Sequence, residues 1–288
     1  MAVYYYQDYS AGGSRNFGDD INPKLLQHLF STSIIESESV CIMGIGTILS
    51  DEHLHNVSRY ERKVIFSSGV GYGTLDKHFD DSWDFVCVRG PNTSAKLDLP
   101  PEKGICDGAI LLSKIYPVKA YQNNGPVVFI PHVESSWKSS EGLKSACHNL
   151  GIEYLVPDQE FDTFVKVVQS ASLVITEAMH GAILADTMRI PWIPVEFHFH
   201  NEFKWKDWFS SMQLDYVSYP LKPLFWKRNT GLLSKLKLPY QLMKYKLFER
   251  SLKNVMLKQK PILSNDFHLK NLQKSLSNRV DYINKKYG

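Results

Sequence analysis

The sequence is poor in the features that mark the less common classes of protein. Its 288 residues include only 17 glycines, 14 prolines and 4 cysteines, which excludes a collagen-like, low-complexity or disulfide-stapled chain. The cysteines stand singly, without a C-x-x-C pair, so we expect them to be reduced core residues. They are Cys41, Cys87, Cys106 and Cys147.

Long apolar runs are also missing. No stretch approaches the roughly 18 apolar residues that span a bilayer, and the first residues lack the basic flank and apolar run of a signal peptide. We therefore expect a folded protein of the cytoplasm.

The third shortage is net charge, which totals only +3. Residues 1–220 hold 17 Lys/Arg against 27 Asp/Glu, whereas residues 221–288 hold 16 against 3. A nucleic-acid binder that uses its whole surface is therefore excluded, because an anionic partner has to meet the last quarter of the chain.

What the chain contains is a series of β-rich runs that alternate with helical patterns, at the spacing of a parallel sheet with crossover helices. The predicted fold class is α/β. Most runs are almost entirely apolar, as expected of strands buried on both faces. They are Val3–Gln7, Val40–Gly44, Lys63–Ser68, Phe85–Arg89, Val127–Pro131, Glu153–Val156, Leu173–Thr176 and Trp192–Glu196.

A linker is predicted over Tyr116–Pro126, where turn residues cluster just before a strong strand. We therefore predict two Rossmann-like domains, residues 1–122 and 123–220. A basic extension follows over residues 221–288.

Two amphipathic helices are predicted in the extension. Apolar residues recur at helical spacing over Pro239–Lys260, and again after a capping cluster at Ser264–Asp266. Two interpretations remain open, and they are compatible: the apolar stripes pack on the α/β body, or residues 239–288 contact an anionic membrane surface.

Glycine-containing loops occur at one predicted edge of the sheet. Asn16–Pro23 leads into the helical pattern Lys24–Phe30, with Pro23 in its first turn, and free amides at such a helix start fit an anion. Gly44–Thr47 and Gly69–Gly73 each follow a strand. Ordinary turn chemistry explains any one of these loops, but three together predict a cleft.

Three other strand ends carry polar side chains. Arg89 suits a carboxylate or phosphate, although a surface ion pair is the alternative. The segment 171–186 predicts a strand, a turn and a helix whose first turn holds Glu177 and His180, so that amides and an imidazole bind an anion and transfer protons there. His132 follows another strand and is a candidate for the cleft.

A metal site is not predicted. Glu196, His198 and His200 alternate along a predicted strand, but two histidines and one carboxylate have no further partner in the sequence.

Five segments resemble, in the same order, the motifs of the polysaccharide pyruvyl transferase family. The resemblance covers about residues 1–215 and is closest to the bacterial exopolysaccharide branch, which has similar sequences at Arg189–Val195 and Phe203–Trp208. The five segments are Asn16–Asp20, Gly44–Ile48, Arg89–Ser94, Gly104–Leu112 and Glu177–Asp186.

This resemblance implies a fold like that of the GT-B glycosyltransferases and transfer of pyruvate from phosphoenolpyruvate to a sugar of a bacterial surface or exopolysaccharide, as a cyclic ketal. It implies no cofactor and no metal. The acceptor is expected to be a saccharide, lipid-linked, at the inner face of the membrane.

The resemblance also implies roles for particular residues. His180 matches the family's essential histidine, and Arg89 matches an arginine that contacts the donor. Many members have Arg-Leu-His where this chain has Ala178-Met179-His180. The missing arginine leaves open either a different donor or a substitute cation, Arg189 or Lys204.

The chemistry of phosphoenolpyruvate requires an acid, a base and groups that hold anions. We expect His180 to be the general acid/base, Asp19 or Glu177 to orient an acceptor hydroxyl, and Arg89 with the amides at 177–179 to hold the donor. Further substrate contacts are expected from Asn16, Gly18, Gly44, Gly46, Ser94, Met179, Gly181 and His132. The alternatives are a GT-B-like glycosyltransferase that uses a nucleotide sugar and a carbohydrate-binding module without catalysis.

Overall fold

The computed structural model describes residues 2–7, 15–76, 78–226 and 234–288, so residues 227–233 of the predicted extension lie outside the description. The strands in the described residues are β1 (Val3–Tyr4), β2 (Val40–Met43), β3 (Arg62–Ser68), β4 (Trp83–Val88), β5 (Val127–Ile130), β6 (Glu153–Tyr154), β7 (Leu173–Thr176), β8 (Trp192–Glu196) and β9 (Tyr219–Pro220).

Helices lie between most of these strands and complete the chain. They are α1 (Phe17–Leu29), α2 (Thr32–Ile35), α3 (Asp51–Asn56), α4 (Pro91–Lys96), α5 (Val133–Leu150), α6 (Phe161–Ser170), α7 (Met179–Thr187), α8 (Glu202–Ser211), α9 (Ser234–Lys258) and α10 (Asp266–Tyr287), with 3-10 helices at Pro101–Lys103 and Gly108–Lys114.

The strands form two parallel sheets, which confirms the α/β class. The first sheet has the order β1-β2-β3-β4 and the second β6-β5-β7-β8-β9. In the second sheet, β6 is added on one side of β5, whereas β7, β8 and β9 follow on the other side. The order of the strands therefore reverses once, between β5 and β7. The carboxyl ends of strands at such a reversal are where open α/β sheets bind ligands. The division into two Rossmann-like domains stays a prediction.

The start of α1 differs from the prediction. The helix begins at Phe17, because the Asn16 side chain caps it by accepting a hydrogen bond from the Gly18 amide. Pro23 therefore lies inside the helix and not in its first turn. Proline has no N–H for the Asp19 carbonyl, and the Asn22 side chain donates to that carbonyl instead, at 3.3 Å.

The two halves of the chain, residues 1–122 and 123–220, share an apolar core. Phe17 of α1 stacks on Phe161 and Phe164 of α6, with ring centroids 4.9 and 4.0 Å apart. One continuous cluster of buried side chains therefore contains residues from both sheets. The four cysteines are all buried and unpaired, as predicted.

The two C-terminal helices pack on the body of the protein. Helix α9 buries Tyr245, Phe248 and Leu252 in a cluster with the second sheet and α5. Helix α10 buries Leu276 and Ile283 in the cluster that contains the first sheet. The predicted helices and the packing of their apolar stripes are thereby confirmed. In the described part of the chain, no helix combines the length and apolarity that crossing a bilayer requires.

Candidate active site

A cavity of about 620 Å³ opens between the two halves, at the carboxyl ends of the strands. It continues into a small recess beside the first turn of α7. Five residues, Asn16, His132, Val133, His180 and Lys204, line both the cavity and the recess and so mark the inner end. The other residues that line the cavity are Tyr6, Asp19, Gly46, Thr47, Ile48, Glu52, His53, Tyr72, Glu134 and Trp137.

His180 lies in the first turn of α7, directly after β7. One side of its ring packs on Gly18 so closely that a Cβ atom there would lie 2.3 Å from His180 Nδ1. On the other side, His180 Nε2 lies 3.6 Å from the Asp107 carboxylate. The imidazole is therefore held between two segments of the first half, with 15% of the side chain exposed to the cavity.

Asp107 keeps a negative charge next to this histidine. Its carboxylate is fully buried and caps the 3-10 helix at Gly108–Lys114 by accepting from the Ala109 amide at 3.0 Å. Burial alone would raise the pKa of Asp107, but the His180 ring and the Ala109 amide outweigh it and hold the pKa below its usual value. A buried carboxylate against an imidazole orients the ring.

Asp19 and Lys204 complete the charged inner end. Asp19 accepts a hydrogen bond of 2.8 Å from the Asn16 side chain, and burial raises its pKa despite that bond and the nearby His180 and Lys204. Burial, together with the charge of Arg89, lowers the pKa of Lys204 to about 8. Among the described residues, Lys204 Nζ forms no hydrogen bond or ion pair, so its ammonium group is available to a ligand.

Glu177 differs from its predicted role. Its buried carboxylate accepts hydrogen bonds from the amides of His132, His198 and Phe199, each at 2.9 Å, and from the Ser135 hydroxyl at 3.0 Å. It does not line the cavity. The side chain fastens the start of α5 and the segment after β8 to the end of β7, so it positions other residues instead of contacting an acceptor.

His132 lies at the inner end of the cavity, as predicted. Its Nδ1 atom accepts from the Glu134 amide at 3.3 Å and so caps α5, and its ring stacks on Phe199. Burial, with the charges of Lys204 and Lys138, lowers the pKa of His132 to about 3, so the ring is neutral near pH 7.

Arg89 also differs from its prediction, because its guanidinium lies behind the cavity. It donates to the Asp207 carboxylate at 3.0 Å, to the Thr47 hydroxyl at 2.8 Å and to the Val70 carbonyl at 2.7 Å. The side chain is fully buried. Of these partners, only Thr47 lines the cavity. Arg89 therefore holds a lining residue in place but does not line the cavity itself.

The predicted glycines divide between the cavity and the core. Gly46 lines the cavity, whereas Gly44 packs on the Asn22 side chain. Met179 and Gly181 line the recess, together with Gly18. Ser94 lies elsewhere, since its hydroxyl donates to the carbonyls of Leu99 and Pro100.

The amides predicted to hold the donor are mostly occupied. The Glu177 amide donates to the Ile130 carbonyl at 2.9 Å and the Ala178 amide to the Thr176 hydroxyl at 3.0 Å. Helix α7 begins one residue later, at Met179, so its first free N–H groups belong to that residue and those that follow.

Arg189, one of the two candidates for a substitute cation, is engaged elsewhere. It forms an ion pair of 2.6 Å with Asp266 and donates to Ser264, at the junction between α7 and α10. Ala178 and Lys204, by contrast, line the same recess. Lys204 therefore carries positive charge next to the position where many family members have arginine.

The alternating residues after β8 point to different partners. His198 Nε2 contacts the Phe225 carbonyl at 2.6 Å, and His200 Nε2 lies 2.5 Å from the Tyr216 hydroxyl. Within the described ranges, no group of three or more His, Cys, Asp or Glu side chains is arranged to hold a metal ion.

Asp107 was not singled out by the sequence analysis, although it lies in the segment Gly104–Leu112. A signal was present, because Asp107 precedes a short helix and is a good N-cap residue. Its second partner, His180, is distant in sequence, and no local pattern reveals that contact.

The α/β cleft has a histidine at a strand-to-helix turn. The chain belongs to the polysaccharide pyruvyl transferase family, which supports a transferase. The family model matches residues 3–198. The chain is also similar to the succinoglycan biosynthesis protein ExoV of Rhizobium meliloti (strain 1021), with 34% identity over 219 residues. That alignment covers 75% of this chain and 66% of the relative, so the chain spans slightly less than two thirds of the relative's length.

Proposed function

We propose that the protein transfers pyruvate from phosphoenolpyruvate to two hydroxyl groups of one sugar, forming a cyclic ketal and releasing phosphate. One observation carries the proposal: His180, backed by Asp107, shares the inner end of a cavity with Asp19 and an unpaired Lys204. Family membership and similarity to a protein of succinoglycan biosynthesis support a polysaccharide precursor as the acceptor.

The reaction proposed for this site uses one protonation and two additions. A proton from the histidine reaches the methylene carbon of phosphoenolpyruvate, which makes the central carbon electrophilic. A sugar hydroxyl adds to that carbon and gives up its proton, and the C–O bond to phosphate breaks. A second hydroxyl of the same sugar then adds, loses its proton and closes the ketal.

The charges at the inner end fit these steps. Asp107 lies 3.6 Å from Nε2 of the imidazole that donates the proton in the first step, and so holds the ring in place. Asp19, a carboxyl group with a raised pKa, is the group proposed to accept the proton of an acceptor hydroxyl. Lys204 is the cation proposed to hold the carboxylate or phosphate of the donor.

The test is release of phosphate from phosphoenolpyruvate in the presence of a lipid-linked oligosaccharide from bacterial membranes, with the product analysed by mass spectrometry. We expect His180→Ala to lower the rate by about 10² to 10⁴, the range typical of a lost general acid/base. His148→Ala, at an exposed histidine of α5, is the matched control and keeps the activity. Consumption of a nucleotide sugar without phosphate release from phosphoenolpyruvate would identify a glycosyltransferase instead.

We further propose that α9 binds the protein to an anionic membrane that carries the acceptor. Five of its large apolar side chains are exposed, at 46–65%: Tyr240, Leu242, Met243, Leu247 and Leu257. Exposed lysines, among them Lys246 and Lys253, accompany them. Exposed apolar groups among basic ones are typical of helices that lie in a membrane interface. Helix α10 contributes less, because fewer of its large apolar side chains, Phe267 and Tyr282, are exposed.

Sedimentation with phosphatidylglycerol-containing vesicles tests this membrane contact. Each basic residue near an anionic surface contributes about 1 kcal/mol, or about a fivefold change in binding. Lys246→Glu with Lys253→Glu should therefore release the protein from the vesicles. Lys270→Glu with Lys274→Glu is the matched control on α10, where equal release would contradict the assignment to α9.

A further inference from the structure

The outer part of the cavity differs in chemistry from its inner end. The inner end has the charged groups His180, Asp19 and Lys204, whereas three large aromatic side chains line the outer part. They are Tyr6, Tyr72 and Trp137, which we call the aromatic rim. Each of them is well exposed, at 47%, 52% and 41%.

Exposed aromatic side chains that converge on one opening indicate a ligand surface. Burial of large aromatic rings is favourable, and contiguous exposed apolar groups in a groove mark places where a ligand or partner binds. The three rings come from different parts of the chain: Tyr6 follows β1, Tyr72 follows β3 and Trp137 lies on α5. The rim therefore borders the cavity from both halves of the protein.

The rim is held in place by its surroundings. Trp137 lies in the second turn of α5, whose start is fastened by the hydrogen bonds from His132 and Ser135 to Glu177. Tyr72 stands between Gly71 and Gly73, and the Gly71 carbonyl accepts from the Asn201 side chain at 2.7 Å. Gly73 has a φ of +66°, a conformation that favours glycine, so the loop has a defined turn at this point.

The polar groups beside the rim accept hydrogen bonds. Glu52 and Glu134 line the same cavity; one Glu134 oxygen accepts from Lys138 at 2.6 Å, which leaves the other oxygen for a ligand. His53 stands edge-on to Tyr6, with ring centroids 6.0 Å apart. Carboxylates repel an anion such as phosphoenolpyruvate but accept hydrogen bonds from hydroxyl groups. The rim therefore favours a neutral molecule that has hydroxyl groups around its edge and C–H groups on its faces.

A pyranose sugar has that combination, because its axial C–H groups form an apolar face and its hydroxyls lie around the ring. We propose that the aromatic rim is the subsite for a neutral sugar of the acceptor, stacked on Trp137 or Tyr72, with hydroxyls toward Glu52 and Glu134. This rests on the proposed function, since it leaves the inner end to the anionic donor. The reacting hydroxyls then extend inward to His180 and Asp19.

Saturation-transfer NMR with cellobiose and lactose as probes tests the subsite, and calorimetry with phosphoenolpyruvate tests the inner end separately. We expect wild-type protein to bind at least one disaccharide and Trp137→Ala to lower that affinity at least about fivefold, the effect of losing one aromatic contact. Binding of phosphoenolpyruvate stays unchanged in the same variant. Tyr72→Ala is the second variant, on the opposite half.

Trp226→Ala is the matched control, because Trp226 is 53% exposed but does not line the cavity. Disaccharide binding that is equal in wild type, Trp137→Ala and Tyr72→Ala overturns the proposal, and so does the absence of binding of both sugars to wild type. If the sugars bind through Trp137 and phosphoenolpyruvate does not bind at all, the subsite stands and the proposed donor is wrong.

Discussion

Lys204 lies beside Ala178, the position at which the chain departs from the family's Arg-Leu-His pattern. Because its pKa is lowered to about 8, its side chain is charged below that pH and neutral above it. A phosphoenolpyruvate site built on this charge should therefore lose affinity as the pH rises through about 8. Arginine, which stays protonated, lacks this dependence.

We predict that Lys204→Met weakens binding of phosphoenolpyruvate at pH 7 by about 10- to 100-fold, as expected for loss of a hydrogen bond to a charged group. Lys204→Arg should keep the affinity and remove its decrease above pH 8. Calorimetric titration between pH 7 and 9.5 measures both effects. Lys206→Met, at an exposed lysine of the same helix, is the control; an equal loss there would contradict the assignment.

Gly18 is a second residue that matters for the site, because it packs on the ring of His180. An alanine Cβ at this position would meet His180 Nδ1 at 2.3 Å, so the imidazole has to move. Alanine is also a better helix former than glycine.

We therefore predict that Gly18→Ala lowers kcat by about 100-fold, since a displacement of about 1 Å has this effect in active sites. The melting temperature should stay the same or rise. Steady-state kinetics and thermal unfolding, measured on one preparation, separate the two effects; a variant with full activity would show that the ring is free to shift.

At the scale of elements, a fully buried ion pair joins the halves. Asp207 of α8 accepts from Arg89 at the end of β4 and from the Thr93 amide, at 2.9 Å, in α4. Both charged side chains are fully buried. Removal of one partner leaves the other charge buried without compensation.

Asp207→Asn is thus predicted to lower the free energy of unfolding by about 3–5 kcal/mol. Urea denaturation measures the change. Asp215→Asn, at an exposed aspartate of the following loop, should stay within about 0.5 kcal/mol of wild type. If the two variants have the same free energy of unfolding, the Arg89–Asp207 ion pair does not stabilise the contact between the halves.

Local sequence patterns predict most of the strands and helices, but they do not predict the contacts between them. The eight predicted runs all contain strands, because parallel strands buried on both faces are apolar throughout. The missed strand, β9, has only two residues. The start of α1 was placed too late because Pro23 suggested a first turn, whereas the Asn16 cap decided it.

The roles of Arg89 and Glu177 were misplaced for a different reason. The hydrogen-bond partners of each side chain are more than 20 residues away in sequence, except Val70, which is 19 residues from Arg89. The sequence shows which side chains follow strands, but not which of them are consumed by long-range hydrogen bonds. His180, Asp19 and His132 reach the cavity because their neighbours leave them partly free.

For the whole molecule, the uneven charge does not separate an acidic enzyme from an independent basic extension. The last helix belongs to the core of the first half: Leu269, Leu276, Val280 and Ile283 are buried there. Burial of one such side chain contributes about 1.5–3 kcal/mol, and four together match the total stability of an ordinary protein.

A chain that ends at residue 258 is therefore predicted not to fold. Circular dichroism and size-exclusion chromatography should show loss of cooperative unfolding and aggregation. Phe267→Ala, at a residue of the same helix that is 74% exposed, should leave both unchanged. A folded 1–258 protein would mean that the first half is complete without α10.

The position of α10 also has a consequence for the order of synthesis. Asn284 accepts from the Ser31 amide at 3.0 Å and donates to the Leu29 carbonyl at 2.8 Å, so these contacts join residues that are 253 and 255 positions apart. The first half leaves the ribosome long before α10 is made. Until then its apolar surface stays uncovered, which makes the nascent chain, and not the folded protein, the form that most needs a chaperone.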